Sequence, residues 1–131
     1  MKDKIYIASC SFGKDSIATI LLALENNEPL DRIVFSEVIY DHSRGISAEH
    51  PAHIKWIYNV AIPKLQSMGL VVDVVKNTER DYLWYFHHKR IRGKYVGKKN
   101  GFPLSGMCDI NKLKVNPINK YLKQFKDLEI I

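Results

Sequence analysis

Two hydroxyls, a lysine and a carboxylate stand within six residues at Ser11-Phe12-Gly13-Lys14-Asp15-Ser16, with Ser9 and Cys10 just ahead of them. Residues of these types, set this close, are suited to holding an anion. Ser11 and Ser16 offer hydroxyl donors and Lys14 offers charge. Gly13 lets the backbone approach an oxygen or take a positive φ. The flanks supply the rest. An apolar run, Ile5-Tyr6-Ile7-Ala8, leads in, and apolar residues at helical spacing (Ile17, Ile20, Leu21, Leu24) lead out. A strand, a polar turn and a helix start meet here, and so do unpaired N–H groups and the positive end of a helix dipole. The plainer reading of the same residues is a strand-to-helix turn in which Asp15 or Ser16 caps the helix.

The elements that must position this turn follow from hydrophobic periodicity. Residues 4–9 read as a strand buried on both faces, as in a parallel sheet, and 15–26 as a helix closed off by Pro29. Residues 32–39 are rich in β-formers and read as strand two. A loop over 40–47 follows and carries Asp41, His42, Ser43, Arg44 and Gly45. A second helix starts near Ala48 or Glu49 with Ser47 as its N-cap and Pro51 in its first turn. It carries the stripe Ile54, Ile57, Tyr58, Ala61, Leu65, Met68 and ends at Gly69. Pro63 falls inside that stripe and predicts a kink or a break. Strand three covers 70–75, an aromatic-rich helix 79–91, and a last helix 116–125. Residues 128–131 look like the beginning of a fourth strand. The order β-α-β-α-β-α-α-(β) implies an α/β fold, a doubly wound parallel sheet of three to four strands with flanking helices and right-handed crossovers. Ligands bind such sheets outside the strand carboxyl ends, so the turn at 9–16 and the Asp41 loop are expected to face one pocket.

At 131 residues the chain is expected to be a single domain with an ordinary hydrophobic content of 46%. No apolar run approaches the roughly 18 residues of a membrane span. The N-terminus lacks the pattern of a signal peptide, and two cysteines offer no disulfide framework, so the cytoplasm is the expected compartment and no membrane partner is expected. The chain stops where strand four begins. A longer parent sequence or a second subunit completing that edge are both readings of this, the latter making a homo-oligomer. The net charge of +6 sits in one place: residues 82–108 hold six Lys/Arg and no Asp or Glu. That points to a polyanionic ligand at one site rather than a diffusely basic protein.

Ser11, Gly13, Asp15 and Ser16 resemble the pyrophosphate-binding (PP-) loop of the adenine nucleotide alpha-hydrolase superfamily, Ser-Gly-Gly-x-Asp-Ser; Phe12 stands where that pattern has its first Gly. A second match lies downstream. Gly101-Phe102-Pro103, then Cys108, then Leu113-Lys114-Val115-Asn116-Pro117-Ile118 is similar to the corresponding region of phosphoadenosine phosphosulfate (PAPS) reductase-like proteins. The resemblance implies a Rossmann-like sheet of the HUP/PP-loop type holding ATP or PAPS through residues 9–16. It also implies Lys114 reaching phosphate or sulfate oxygens, and Mg²⁺ in the ATP version. The implied chemistry is attack at the α-phosphate with pyrophosphate leaving, or sulfur transfer from PAPS, with Lys14, Asp15, Lys114 and Cys108 as the catalytic candidates. The chain departs from the family in its tail. Met107 stands where a Trp or Cys precedes the Cys, and the Glu-Cys-Gly-(Ile/Leu)-His segment of the true reductases is missing. The C-terminal cysteine pair of the iron–sulfur forms is missing as well, so no such cluster is expected. These departures bear on the reaction more than on the ligand, and a non-catalytic nucleotide- or nucleic-acid-binding relative is the competing reading.

Several residues keep two readings. Asp41 is a ribose, adenine-edge or Mg²⁺ contact, or a structural loop carboxylate. Glu37 sits at the same edge or is buried and paired. Lys114 is a phosphate ligand or a surface lysine ahead of a helix. Cys108 is a reactive thiol in a basic neighbourhood or a small loop residue, and Cys10 belongs to the core. The run from His87 to Lys99, with Arg92 and Lys94 at its centre, is a lid over phosphates, a grip on a nucleic acid backbone with Tyr85, Phe86 and Tyr95 stacking, or a solvated surface. Residues 92–107 are expected to be a mobile loop. His87 and His88 are not at metal-ligand spacing, so no metal site is expected there.

Overall fold

The computed structural model describes residues 3–101 and 112–131. Strand one is built over residues 4–9 but is interrupted at Tyr6, which divides β1 (Lys4–Ile5) from β2 (Ile7–Ser9). The cause is Asp31. Its carboxylate accepts the Tyr6 N–H at 2.8 Å, while the Tyr6 carbonyl accepts the N–H groups of Asp31 and Arg32. The two halves then pair on opposite sides. β1 runs parallel to β7 (Glu129–Ile130), and the Ile7 N–H extends that pairing to the Ile131 carbonyl at 3.0 Å. β2 runs parallel to β3 (Arg32–Ser36), with Ala8 opposite Ile33. β3 in turn runs parallel to β6 (Val71–Val75). The strands therefore stand in the order β7, β1/β2, β3, β6, all parallel, in a mixed α/β architecture.

The strand buried on both faces is β3 rather than strand one. Ile33 and Val34 are 0% exposed, whereas Tyr6, Ile7 and Ala8 are half-buried and Ser9 is exposed. Strand one lies one place from the centre and has only the short β7 outside it. Ile33 and Phe35 point into the main core, with Ile20 of α1 (Lys14–Glu25) and with Ile57, Ala61 and Leu65 of the helical segment 51–67. The alternate residues of β3 point to the other face. There the Ser36 hydroxyl donates to the Lys114 carbonyl at 2.8 Å, and the Arg32 guanidinium lies 5.2 Å from the Phe125 ring centre. Arg32 also pairs with Asp73 at 3.2 Å, and Asp73 accepts the Tyr121 hydroxyl of α5 (Asn116–Leu122) at 2.6 Å. Helices thus cover both faces of the sheet.

Strand two is shorter than the 32–39 expected. It leaves the sheet after Ser36, and the chain turns into a small antiparallel hairpin, β4 (Ile39–Asp41) with β5 (Ile46–Ser47), where a plain loop was expected. The next helix, α2 (Pro51–Trp56), begins later than Ala48 or Glu49. Its N-cap is His50, whose Nδ1 accepts the Ala52 N–H, while Ser47 accepts from Glu49 instead. Pro63 is taken up without a break, through a wider turn ahead of it. Residues Ile57–Ala61 form a π-helical turn, and α3 (Ile62–Ser67) restarts with Pro63 in its first turn. There the missing N–H leaves no helical bond unmade, and the extra residue relieves the ring's clash with the preceding turn. Gly69, at φ +86, ends the helix.

The aromatic helix is also shorter than 79–91. Asn77 Oδ1 accepts the N–H groups of Glu79 and Arg80 in a separate turn, and α4 (Tyr82–His87) starts only at the Asp81 cap. After His87 the backbone is extended. Residues 97–101 pair back on 86–90, while 91–96 are bends and turns, so the irregular loop expected from 92 is irregular at its start and paired over 97–101. The 102–107 part of that loop, and Cys108, lie outside the described residues. α5 and a 3-10 turn, Lys123–Phe125, together match the last predicted helix.

Candidate functional site

The turn after β2 is built from an unusual backbone. The Cys10 N–H continues the ladder to the Val34 carbonyl at 2.9 Å, and Cys10 itself is buried in the core as expected. Burial pushes its thiol pKa up, so it stays protonated. Phe12 follows with φ +61. The left-handed conformation that the turn requires therefore falls on Phe12 and not on Gly13, which is extended at φ −74, ψ 168. Of the two roles expected of Gly13, the positive φ is thus not the one it takes, and close approach of the backbone to an oxygen is the one left. A side chain at φ > 0 costs roughly 1–2 kcal/mol. Burying a phenylalanine stabilises by about 1.5–3 kcal/mol. Phe12 is 2% exposed and packs edge-on against Phe35 at 5.2 Å, so burial wins. The position that is Gly in the resembled loop is held in a glycine-like conformation by a core anchor.

Downstream of Phe12 the turn is open. Gly13 is the cap residue of α1, and no side chain caps the helix. The first intrahelical bond in this turn runs from the Ile17 N–H to the Gly13 carbonyl at 3.1 Å, so the N–H groups of Lys14, Asp15 and Ser16 stand ahead of it. The plain capping role for Asp15 or Ser16 is therefore not the one observed. The Ser11 and Ser16 hydroxyls meet across the turn at 2.9 Å, and Ser11 Oγ also accepts from the Gly13 N–H at 3.4 Å. Lys14 and Asp15 pair with each other at 3.1 Å, both more than 90% exposed. A pair that exposed adds little to stability, and both groups are free to turn toward a ligand.

Two hollows flank α2. The first, about 560 Å³, borders the turn and is lined by Phe12, Gly13, Lys14, Ile17, His53 and Trp56 among others. The second, about 520 Å³, lies beyond the end of β3 and includes Glu37, His42, Glu49, Tyr58 and Lys76. The single pocket expected to join the turn with the Asp41 loop is thus divided, and Asp41 lines neither of these hollows. It is buried, and its carboxylate accepts from the Ser43 hydroxyl at 2.6 Å and the Ser43 N–H at 3.0 Å, with Arg44 at 3.6 Å. The Ser43 hydroxyl, more than the other contacts, holds its pKa below the usual carboxylate range.

Glu37 takes the buried and paired form, accepting the Tyr58 hydroxyl at 2.7 Å. Burial, and then the bond to Glu37, push the Tyr58 hydroxyl pKa well up, so it remains a donor. Periodicity placed Tyr58 on the apolar stripe and gave no sign of this pair; the one signal was a lone carboxylate at the end of an apolar strand. Lys114 is half-buried, and its carbonyl ties the approach to α5 to the end of β3. Arg92 and Lys94 lie on the exposed ribbon. Ser9 is the exposed last residue of β2. No family model matches the chain, and no curated protein or solved structure matches it.

Proposed function

We propose that this protein binds an adenine nucleotide, ATP or PAPS, through residues 9–16, on a Rossmann-like doubly wound sheet of the PP-loop type related to the PAPS reductase-like proteins. The observation that carries the reading is the uncapped start of α1, with three N–H groups beside the Ser11–Ser16 hydroxyl pair. Helix N-termini of this form favour phosphate. The strand order supports it as well. The chain pairs outward from strand one through β3 to β6, then returns to the opposite side with β7, and the turn leaves strand one at that reversal, where open α/β sheets take their ligands.

In this reading the first-turn N–H groups and the serine hydroxyls receive phosphate or sulfate oxygens, and Lys14 moves from Asp15 to add charge. Negative charge gathering on a leaving pyrophosphate is stabilised by donors already in place. Mg²⁺ suits the donor set, since it binds through one or two carboxylates together with substrate phosphates and water. Asp15, exposed beside the N–H groups, is the residue that would hold it.

The test is a thermal-shift panel with ATP, AMP, PAPS and sulfate on the native chain and on Gly13→Ala. A Cβ at Gly13 meets only Ser11 Oγ, at an ordinary 3.5 Å, and the φ of −74 suits alanine. The variant is expected to melt like the native chain and to lose the nucleotide-induced shift, because the added methyl stands where the phosphate approaches. No shift of the native chain with any of the four ligands would overturn the reading. Pyrophosphate release from labelled ATP, abolished by Asp15→Ala, separates an enzyme from a protein that only binds.

A further inference from the structure

The segment between α4 and residue 101 folds back on itself as a short antiparallel ribbon, 86–90 against 97–101, with bends and turns over 91–96. Its rungs are Gly101 N–H to the Phe86 carbonyl, Asn100 N–H to His88, Arg90 N–H to Lys98 and Gly97 N–H to Arg90, all between 2.8 and 3.1 Å. Gly97, at φ +83, and Lys98 together oppose Arg90, a glycine bulge that lets the chain return. Asn100 locks the base, donating to the Tyr85 carbonyl at 2.7 Å and accepting from Arg90 Nε at 3.2 Å. Beyond that base the side chains lie open to solvent. Residues 91–99 are all exposed, Ile91 at 82%.

The charges on this ribbon are set against its own stability. Lys89 faces Lys99 across the ladder, and Arg90 faces Lys98 across the bulge. Like charges directly opposite each other destabilise a ladder. Alternation puts the two pairs on opposite faces, and Arg92 and Lys94 continue the charge to the tip. Residues 82–101 contain no Asp or Glu to offset them. What relieves such a ribbon is an anion extended along both of its sides. A single nucleotide is too short for that.

A single strand needs a row of aromatic platforms, and of Tyr85, Phe86 and Tyr95 only Tyr95 is exposed. Tyr85 is buried, Phe86 packs in the small cluster around Tyr85 and Leu113, and the Tyr95 ring already has Arg90, Lys94 and Lys98 within 5.5–5.9 Å. Duplex DNA offers two phosphate backbones on either side of a major groove about 12 Å wide, which admits a two-stranded ribbon.

We infer that the ribbon of residues 86–101 is a docking arm for double-stranded DNA, held by its phosphate backbones. The inference uses no residue of the turn at 9–16 and stands apart from the nucleotide reading. It is tested by fluorescence anisotropy of the full chain with a short labelled duplex across a salt series, beside a single strand of the same length and sedimentation with phosphatidylcholine/phosphatidylserine vesicles. The native chain is expected to bind the duplex more tightly than the single strand. The exposed triple variant Arg92→Ser, Lys94→Ser, Lys98→Ser, with an unchanged circular dichroism spectrum, is expected to bind the duplex at least tenfold more weakly. Its slope of log affinity against log salt is expected to be shallower by about 3. Unchanged affinity in the triple variant, a single strand bound as tightly as the duplex, or binding to the vesicles without binding to the duplex would each overturn the inference.

Discussion

The turn after β2 and the loop after β3 leave the same edge of the sheet, and they differ in what they leave open. After β3, the polar groups close on one another. Asp41 is engaged by Ser43 and Arg44, the His42 N–H goes to Asp81 at 2.8 Å, the His42 ring contacts the Asn77 carbonyl at 2.8 Å, and the Ala48 N–H returns to Val38. After β2, the two serine side chains bond only to each other and to N–H groups of the same turn, and the start of α1 is uncapped. Standing at a strand's carboxyl end does not by itself make a binding residue. What distinguishes the two loops is the presence of donors without local acceptors, and only the first has them.

The sharpest way to break this comparison is at Phe12, which holds the open turn in place. Phe12→Ala is expected to destabilise the fold by roughly 3–5 kcal/mol in urea titration. Phe12→Gly should be less damaging than Ala by about 1 kcal/mol, because only glycine takes the left-handed backbone freely. If alanine proves the milder of the two, the anchoring account of the turn fails.

Next in size is Tyr58→Phe, which removes the donor from buried Glu37 at the closed loop's entrance. A loss of roughly 1–3 kcal/mol is expected, the range for leaving a buried polar group without its partner. ATP-induced stabilisation should be unaffected, since Tyr58 does not border the turn.

The closed loop also carries a pH signature. The depressed pKa of Asp41 means that its contribution to stability is present above the ordinary carboxylate range and is lost as pH falls through its folded value. Asp41→Asn should flatten that acid limb of the melting curve while leaving nucleotide shifts intact; a lost ATP shift would return Asp41 to the site. At the other extreme, burial and then the bond to Asp73 push the Tyr121 hydroxyl up to about 12. Its contribution is complete below about 10, the ordinary tyrosine value, and fades as pH rises toward the folded value. Tyr121→Phe should remove that alkaline loss.

The smallest stability effect belongs to Ser16→Ala, which takes away one hydroxyl of an exposed pair. A change within about 0.5 kcal/mol is expected. A marked loss of ATP affinity in the same variant would show the open turn at work, and an unchanged affinity would leave the serine pair without a role in binding.

Much of the frame was legible because it rests on periodicity. The alternation of strand and helix, the irregular turn ahead of Pro63, the stop at Gly69 and the last helix and strand all follow from residues whose effect is local. Other features depend on contacts across space. Nothing near Tyr6 announces that Asp31 will take its N–H, and nothing at Phe12 shows that Phe35 will hold it at a positive φ. In the sequence the first arm of the ribbon continues the helical pattern to Ile91, and the second lies in a stretch whose glycines and like charges usually mark a loop. In place they form a bulge and a ladder whose anchor, Asn100, carries no pattern of its own. The hairpin β4–β5 escaped notice because strands of two and three residues are too short for alternation to register.

The pairing of β1 with β7 has a kinetic consequence. Lys4 meets Glu129 across nearly the whole chain, whereas β2 meets β3 with only α1 between them. Closing so long a loop is entropically expensive, and contacts of that range slow folding. The β2–α1–β3 unit, which contains the whole turn at 9–16, can assemble before the last strand arrives. In a pulse-labelled hydrogen-exchange experiment the amides of Ala8, Val34 and Ile20 are expected to gain protection ahead of Ile7 and Ile131. The order of chain closure would then set the turn in place first and finish the sheet around it.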